Sequence, residues 1–281
     1  MSNWEQKLIK TDRGIFEVFT KGNGEPICVT HHYSVFNKSG DYFGEAFTGT
    51  HQVFLVNLRE AGQSERAHAS YELSMLETVF DLEAVRKALG FEQWGFAGHS
   101  TGGMLGIIYG IHYSESLQFL IIAGAAAREY ATFSANCIYN QAHPSFQKMQ
   151  QLIESLKNPD LAEGQRKNLS AERTALSLYR PDRYSELFHL PITKTISAAR
   201  MNFFNRELPI FDVTRKLSLI QVPTLILCGR HDVQCPLEYS LEMNVGIRDS
   251  KFVIFNESNH YPFLEEKDKF SNGVASFLKE L

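Results

Sequence analysis

Three residues carry the strongest chemical signal in this chain: Ser100, Asp232 and His260. Ser100 is the centre of Gly98-His99-Ser100-Thr101-Gly102, a G-x-S-x-G pentapeptide. A serine hydroxyl attacks a carbonyl poorly until a base takes its proton, and a histidine base needs a carboxylate to hold it in one tautomer. Candidates for both follow downstream, Asp232 in Gly229-Arg230-His231-Asp232-Val233-Gln234-Cys235-Pro236 and His260 in Asn259-His260-Tyr261-Pro262. The expected chemistry is acyl transfer, with Ser100 as nucleophile, His260 as base and Asp232 as the acid that orients it. Glu129, just past the strand-like run 117–123, is the alternative acid.

The pentapeptide also arises by chance, so its weight comes from its surroundings. Residues 93–97 read as a strand running straight into it, and residues 104–113 read as a helix leaving it. Glycines two before and two after Ser100 let the backbone turn sharply, and the helix N-terminus favours negative charge developing nearby. Gly102, Gly106 and Gly110 leave a bare stripe on one helix face, so that helix is expected to lie close to a sheet. Asp232 follows the strand-like run 222–228, and His260 follows 251–255. In a parallel sheet the loops after successive strands emerge along one edge, so three residues far apart in sequence can meet there.

The rest of the chain alternates β-rich runs with helix-length segments, which predicts an α/β fold with a mostly parallel sheet and helices on both faces. Asp12-Arg13-Gly14 marks a hairpin turn, and residues 26–30 and 52–57 add strands. Residues 71–89 show helical apolar spacing that stops at Gly90. From 128 to 216 strands disappear and prolines at 144, 159, 181, 191 and 209 break the segment into short helices. The expected organisation is a core of residues 1–127 and 217–281 with a helical cap over residues 128–216. Phe133, Tyr139, Phe146, Met149, Met201, Phe203, Phe204 and Phe211 of that segment are either its own packing or the lining of an apolar pocket.

Composition narrows the partners. The chain has 281 residues, 43% hydrophobic and 21% charged, which is the profile of a globular protein. A net charge of −4 without any basic run removes the usual electrostatic basis for binding nucleic acid. Apolar runs are too short to cross a bilayer, the N-terminus shows no signal peptide, and the four cysteines form no C-x-x-C pair. Reduced thiols and a cytoplasmic location are expected, with no membrane partner. His31, His32, His99 and His231 do not make a metal site on spacing, because adjacent residues of an extended chain point oppositely and no H-E-x-x-H occurs. No metal and no cofactor is expected.

Jointly, in order and spacing, these motifs resemble the α/β-hydrolase superfamily from about Pro26 to the C-terminus. Gly98–Gly102 is similar to its nucleophile elbow, Asp232 to its G-x-x-D-x-x-x-P pattern, and His260-x-Pro262 to its histidine loop. Residues 57–64 are similar to its D-x-R-G-x-G-x-S segment, departing from it at Asn57 and Glu60. The resemblance implies a sheet of about eight strands under a helical cap, closest in type to capped esterases and proline-iminopeptidase-like enzymes. It also implies an oxyanion hole made by the backbone N–H groups of Thr101 and Tyr33. Relatives carry His-Gly where this chain has His31-His32, which puts the shape of that loop in question.

Two enzymatic readings follow, with a small ester, amide or short peptide as partner. A carboxylesterase needs an apolar acyl pocket, for which His32, His99, Phe203 and Phe204 are the candidates. An aminopeptidase needs a carboxylate to grip the substrate ammonium, and Glu129, Glu154, Asp160, Glu163, Glu172, Asp182, Glu186 and Glu207 are available. A ligand receptor on the same fold is the non-enzymatic alternative. Asp-nucleophile chemistry of the dehalogenase or epoxide-hydrolase kind is disfavoured by Ser100.

Overall fold

The computed structural model describes residues 4–281; Met1 to Asn3, at the start of the leader region considered above, lie outside it. Ten strands occur in chain order: β1 (Glu5–Thr11), β2 (Gly14–Lys21), β3 (Pro26–Thr30), β4 (Ser34–Val35), β5 (Gln52–Val56), β6 (Trp94–His99), β7 (Leu117–Ala123), β8 (Thr195–Ile196), β9 (Thr224–Gly229) and β10 (Ser250–Phe255). Eight of them form one sheet in the order β1-β2-β5-β3-β6-β7-β9-β10. The β1–β2 hairpin and the β2–β5 pair are antiparallel, and all other neighbours are parallel. The sheet therefore matches the expected α/β-hydrolase architecture in strand number and direction. No helix among the described residues is long and apolar enough to cross a membrane.

Among the described residues ten α-helices pack around it: α1 (Tyr42–Glu45), α2 (Met75–Ala88), α3 (Thr101–Tyr113), α4 (Phe146–Leu156), α5 (Glu163–Ala175), α6 (Tyr184–Leu187), α7 (Ala198–Glu207), α8 (Leu237–Gly246), α9 (Pro262–Glu265) and α10 (Lys267–Leu278). The alternating pleat sends side chains to two separate cores. On one face Phe96, Leu120 and Ile226 meet Val79 of α2, Leu105 of α3 and Met243 of α8. On the other, Ala97, Ile121 and Leu227 meet Phe43 of α1 and Phe270 and Phe277 of α10. At the C-terminal end two helices, α9 and α10, meet at a break at Glu266.

The bare stripe on α3 does what its spacing implies. A Cβ on Gly106 would stand 2.9 Å from the Phe96 ring, and one on Gly102 would stand 2.2 Å from the Thr30 carbonyl. Only glycine lets α3 sit this close to β3 and β6.

The segment from 128 to 213 leaves the sheet and returns to it through one neck. Arg128 and Asp212 form an antiparallel bridge, Glu129 N–H donates to Phe211 O at 2.8 Å, and Val213 N–H donates to Ala127 O at 2.8 Å. Between these stems lie α4 to α7. Contrary to the expectation that strands disappear here, the segment holds one: β8 pairs antiparallel with β4, at Ser34↔Ile196 and Val35↔Thr195. Two-residue strands carry no readable periodicity.

Candidate active site

Ser100 sits where β6 gives way to α3, with φ 57° and ψ −123°. Positive φ is strained for a residue with a Cβ, by about 1–3 kcal/mol, and such strain persists only where the surroundings impose it. They do so here: Ser100 N–H donates to Ala123 O at 2.9 Å, and its carbonyl accepts from Gly103 N–H at 2.9 Å. A Cβ on Gly98 would lie 2.2 Å from Gly102 O, so the turn demands both small residues. The serine is consequently held out at the end of the strand.

The Asp232 and His260 side chains meet at the same edge of the sheet, in the loops after β9 and β10. Asp232 Oδ2 lies 2.9 Å from His260 Nδ1, and Oδ1 also accepts N–H bonds from Gln234 and Cys235 at 2.9 Å each. The loops after β9 and β10 are tied together by Asn259 Oδ1 accepting from Val233 N–H (2.9 Å) and by His231 N–H donating to Ser258 O (3.1 Å). Gly124, next to the residue that receives the Ser100 N–H, has φ +53°, and a Cβ there would lie 2.9 Å from Asp232 Oδ2 and 3.3 Å from His260 Nδ1. His99 completes the link, donating from Nε2 to His260 O at 2.7 Å with the two rings 4.5 Å apart. Among the described residues no hydrogen bond engages the Ser100 hydroxyl. Glu129, the alternative acid, instead accepts from Thr132 N–H at 2.8 Å.

The β3–β4 loop lies against the start of α3. His32 N–H donates to Thr101 Oγ1 at 3.3 Å, and His31 bonds Thr101 Oγ1 through Nε2 (3.1 Å) and Ser34 Oγ through Nδ1 (2.9 Å). The backbone N–H groups of Tyr33 and Thr101 have no acceptor among the described residues. Thr101 opens a helix, whose first N–H groups lack intrahelical partners. His32 has no positive φ; Glu60 and Ser100 are the non-glycine residues that do among those described. Losing the relatives' glycine at position 32 therefore costs this loop no backbone strain.

The pocket expected at His32 is not there. Its side chain is wholly buried, turned into the protein, where Arg200 from α7 donates to Nδ1 at 2.9 Å. That donation places the ring proton on Nε2, which lies 3.7 Å from Glu207 Oε2. The same guanidinium donates to His32 O, to Arg59 O at 3.1 Å and to Thr78 Oγ1 at 2.7 Å. Burial lowers the Arg200 pKa to about 9, so it stays charged at neutral pH. Phe204, one turn on, packs its ring 5.5 Å from Tyr33, whereas Phe203 lies under the Arg206 guanidinium at 5.5 Å. His99 is packed among Phe43, Tyr261, Phe263 and His260.

Arg200 was not singled out by sequence, and its only signal is its position one helical turn before Phe204. It crosses from the inserted segment to lock the β3–β4 loop. Arg200→Met should lower stability by about 3 kcal/mol, because two buried carbonyls lose their donor at about 1–3 kcal/mol each while relief of the buried charge offsets part. A urea midpoint unchanged from the parent would show that the guanidinium holds nothing in place.

Asn57 also departs from the resembled pattern for a visible reason. Its Oδ1 accepts from Phe36 N–H at 2.7 Å while its Nδ2 donates to the buried Glu17 carboxylate at 2.7 Å, a donation that aspartate could not make. Glu60 takes the glycine-like φ of 65°, and its carboxylate accepts from Ala67 N–H at 2.9 Å.

The histidine loop is held from the inserted segment as well. His260 N–H donates to Ser177 O at 3.2 Å, and Gln234 Nε2 donates to Ser177 Oγ at 3.0 Å. The Glu265 carboxylate accepts from Tyr179 N–H at 2.6 Å and Asn259 N–H at 2.9 Å, joining the two segments. A cavity of about 670 Å³ opens on the outer flank of Asp232, lined by His143, Leu178, Tyr179 and His231 and not by Ser100.

An elbow serine, a sheet of this order and a histidine–carboxylate pair at one sheet edge define a class, and comparison with known proteins names it. The alpha/beta hydrolase fold family matches residues 30–267, and the chain belongs to the α/β-hydrolase family. It is similar to a solved alpha/beta fold family hydrolase from Bacillus anthracis, at 40% identity and TM-score 0.94 over 98% of this chain and 100% of that one. It is 27% identical to an AB hydrolase superfamily protein, YisY, of Bacillus subtilis over 91% of this chain and 92% of the relative. A proline iminopeptidase of Saccharolobus solfataricus is 27% identical over 78% of this chain and 73% of its own. The chain is a hydrolase of this family.

Proposed function

We propose that the protein is a serine hydrolase of small esters or amides that works through an acyl-enzyme. Ser100 Oγ attacks the carbonyl carbon while His260 Nε2 takes its proton. Asp232 keeps the other imidazole proton on Nδ1 and stabilises the imidazolium. The N–H groups of Thr101 and Tyr33 receive the oxyanion, at about 3–4 kcal/mol of transition-state stabilisation per donor. His260 then protonates the leaving group, and water, activated by the same histidine, releases the acid from Ser100. The free Ser100 hydroxyl must close on Nε2 when substrate binds, a tightening common in such sites. No cofactor takes part.

The observation that carries this reading is the strained elbow serine at the same sheet edge as the 2.9 Å His260–Asp232 pair. We assign residues 128–216 as a cap, on the support of the single neck and the contacts from Ser177 and Arg200 to the site's loops. Carboxylester hydrolysis is the preferred activity. The proline-iminopeptidase relative favours the aminopeptidase reading, for which Glu129, with Oε1 bonded to Thr132 and Oε2 buried without a partner, is the remaining buried acid; the others do not suit that role. Glu154, Asp160, Glu163, Glu172, Asp182 and Glu186 are exposed, and Glu207 accepts from Met75 N–H at 3.1 Å.

A fluorophosphonate should add covalently to the wild-type protein and not to Ser100→Ala, read as the mass of the intact chain. A wild type that stays unmodified would favour the receptor alternative.

A further inference from the structure

Arg173 has neither a counter-charge nor a hydrogen-bond partner among the described residues, unlike Arg200, which also lacks a carboxylate but donates to His32, Arg59 and Thr78. Arg173 lies on α5, and its Nε is buried without a hydrogen-bond partner. Arg13, Arg59, Arg86, Arg128, Arg180 and Arg183 each pair with a carboxylate within 4 Å, but Arg173 pairs with none among the described residues. Placing a guanidinium N–H out of water without an acceptor is costly, so a buried unpaired donor marks a place where something else is meant to bind.

Its neighbours along the chain reach the loop that carries His260. Ser177, four residues further along, contacts both His260 N–H and Gln234. Three half-buried phenols from separate segments share its field: Tyr33 of the β3–β4 loop, Tyr261 beside His260, and Tyr139, which donates to Gln234 Oε1 at 3.0 Å. Burial raises the pKa of each phenol, and the Arg173 charge pulls each back down. The Tyr139 proton is spent on Gln234, so the neutral hydroxyls of Tyr33 and Tyr261 are the donors that suit an anion, and none of the three phenols neutralises the guanidinium. Resting on the serine-hydrolase reading above, we propose that Arg173, with these tyrosine hydroxyls around it, anchors a carboxylate or similar anionic group on the substrate hydrolysed at Ser100. The arrangement repels a substrate ammonium, which separates this site from an aminopeptidase site.

Matched esters test this. The first pair is the 4-nitrophenyl monoester of adipic acid and 4-nitrophenyl heptanoate; the second is 4-carboxyphenyl hexanoate and phenyl hexanoate; 4-nitrophenyl 6-aminohexanoate supplies the cation. The wild type should prefer the anionic member of at least one pair by tenfold or more in kcat/KM. Arg173→Gln should reduce that ratio to about one, and Arg173→Lys should keep part of it. The ratio cancels any general loss of rate, and circular dichroism checks the fold of each variant. No anionic preference in either pair, a preference that survives Arg173→Gln, or a preference for the ammonium ester would overturn the anchor. Thermal stabilisation by free adipate, lost in Arg173→Gln, reads the anchor without hydrolysis. Failure of the serine chemistry is thereby distinguished from failure of the anion site.

Discussion

Asp232→Asn should cut kcat for a short nitrophenyl ester about 10⁴-fold while leaving the fold intact. The carboxylate does two jobs. Oδ1 accepts N–H bonds from Gln234 and Cys235, and both oxygens face His260 Nδ1, at 3.0 and 2.9 Å. An asparagine would keep its carbonyl on the two backbone donors and turn its NH2 towards Nδ1. A donor there forces Nδ1 to accept, and the imidazole proton moves to Nε2. The nitrogen that should take the Ser100 proton is then already protonated. Glu129→Gln should leave kcat within about twofold, since that side chain bonds Thr132 and not His260. A large loss from the glutamate variant and a small one from the aspartate variant would reverse the assignment of the acid.

Mild acid should destabilise the protein by about 4 kcal/mol between pH 7.5 and 5.5, well before most carboxylates titrate. His31, His32 and His99 are held neutral, their pKa values pushed well below the usual 6.5 by burial and then by the neighbouring side chains of Lys194, Arg200 and His260 respectively. The unfolded chain takes up a proton on each as pH falls through about 6.5, and the fold does not. A lowered histidine pKa thus contributes stability above the unfolded value that is lost as pH falls below it. Glu207 and Glu265, whose pKa values burial raises, act in the opposite sense and trim the effect. Urea unfolding across this range gives the slope, and His99→Gln should flatten it by about one third. A flat profile would mean that the three rings take protons without leaving their places.

Much of this was legible in the sequence because the signals are local. The turn at residues 98–102, the four-residue glycine spacing of α3 and the β-branched runs each follow from backbone sterics within a few residues. The order serine, acid, histidine at successive strand ends is legible for the same reason. What escaped were contacts made across long stretches of chain. Pleat alternation says that His31 and His32 point oppositely, but not that His32 meets Arg200, 168 residues away, in the interior and not in a pocket. Arg173 and Arg200 look like any helix-surface arginine until the fold buries the Nε of one without a partner and sets the other beneath the β3–β4 loop. The β4–β8 ladder is too short to have a period, and the strain at Glu60 opposes the residue's own preference.

The bonds from Ser177 to His260, from Arg200 to His32 and from Tyr33 O to Ser197 N–H have an evolutionary corollary. Specificity in this lineage cannot be exchanged by grafting a foreign roof onto the scaffold, as one would change a lens on a camera. A transplanted segment would arrive without the partners that keep the His260 loop and the β3–β4 loop in register. A productive chimaera has to carry its matching residues at positions 32, 234 and 265 along with it.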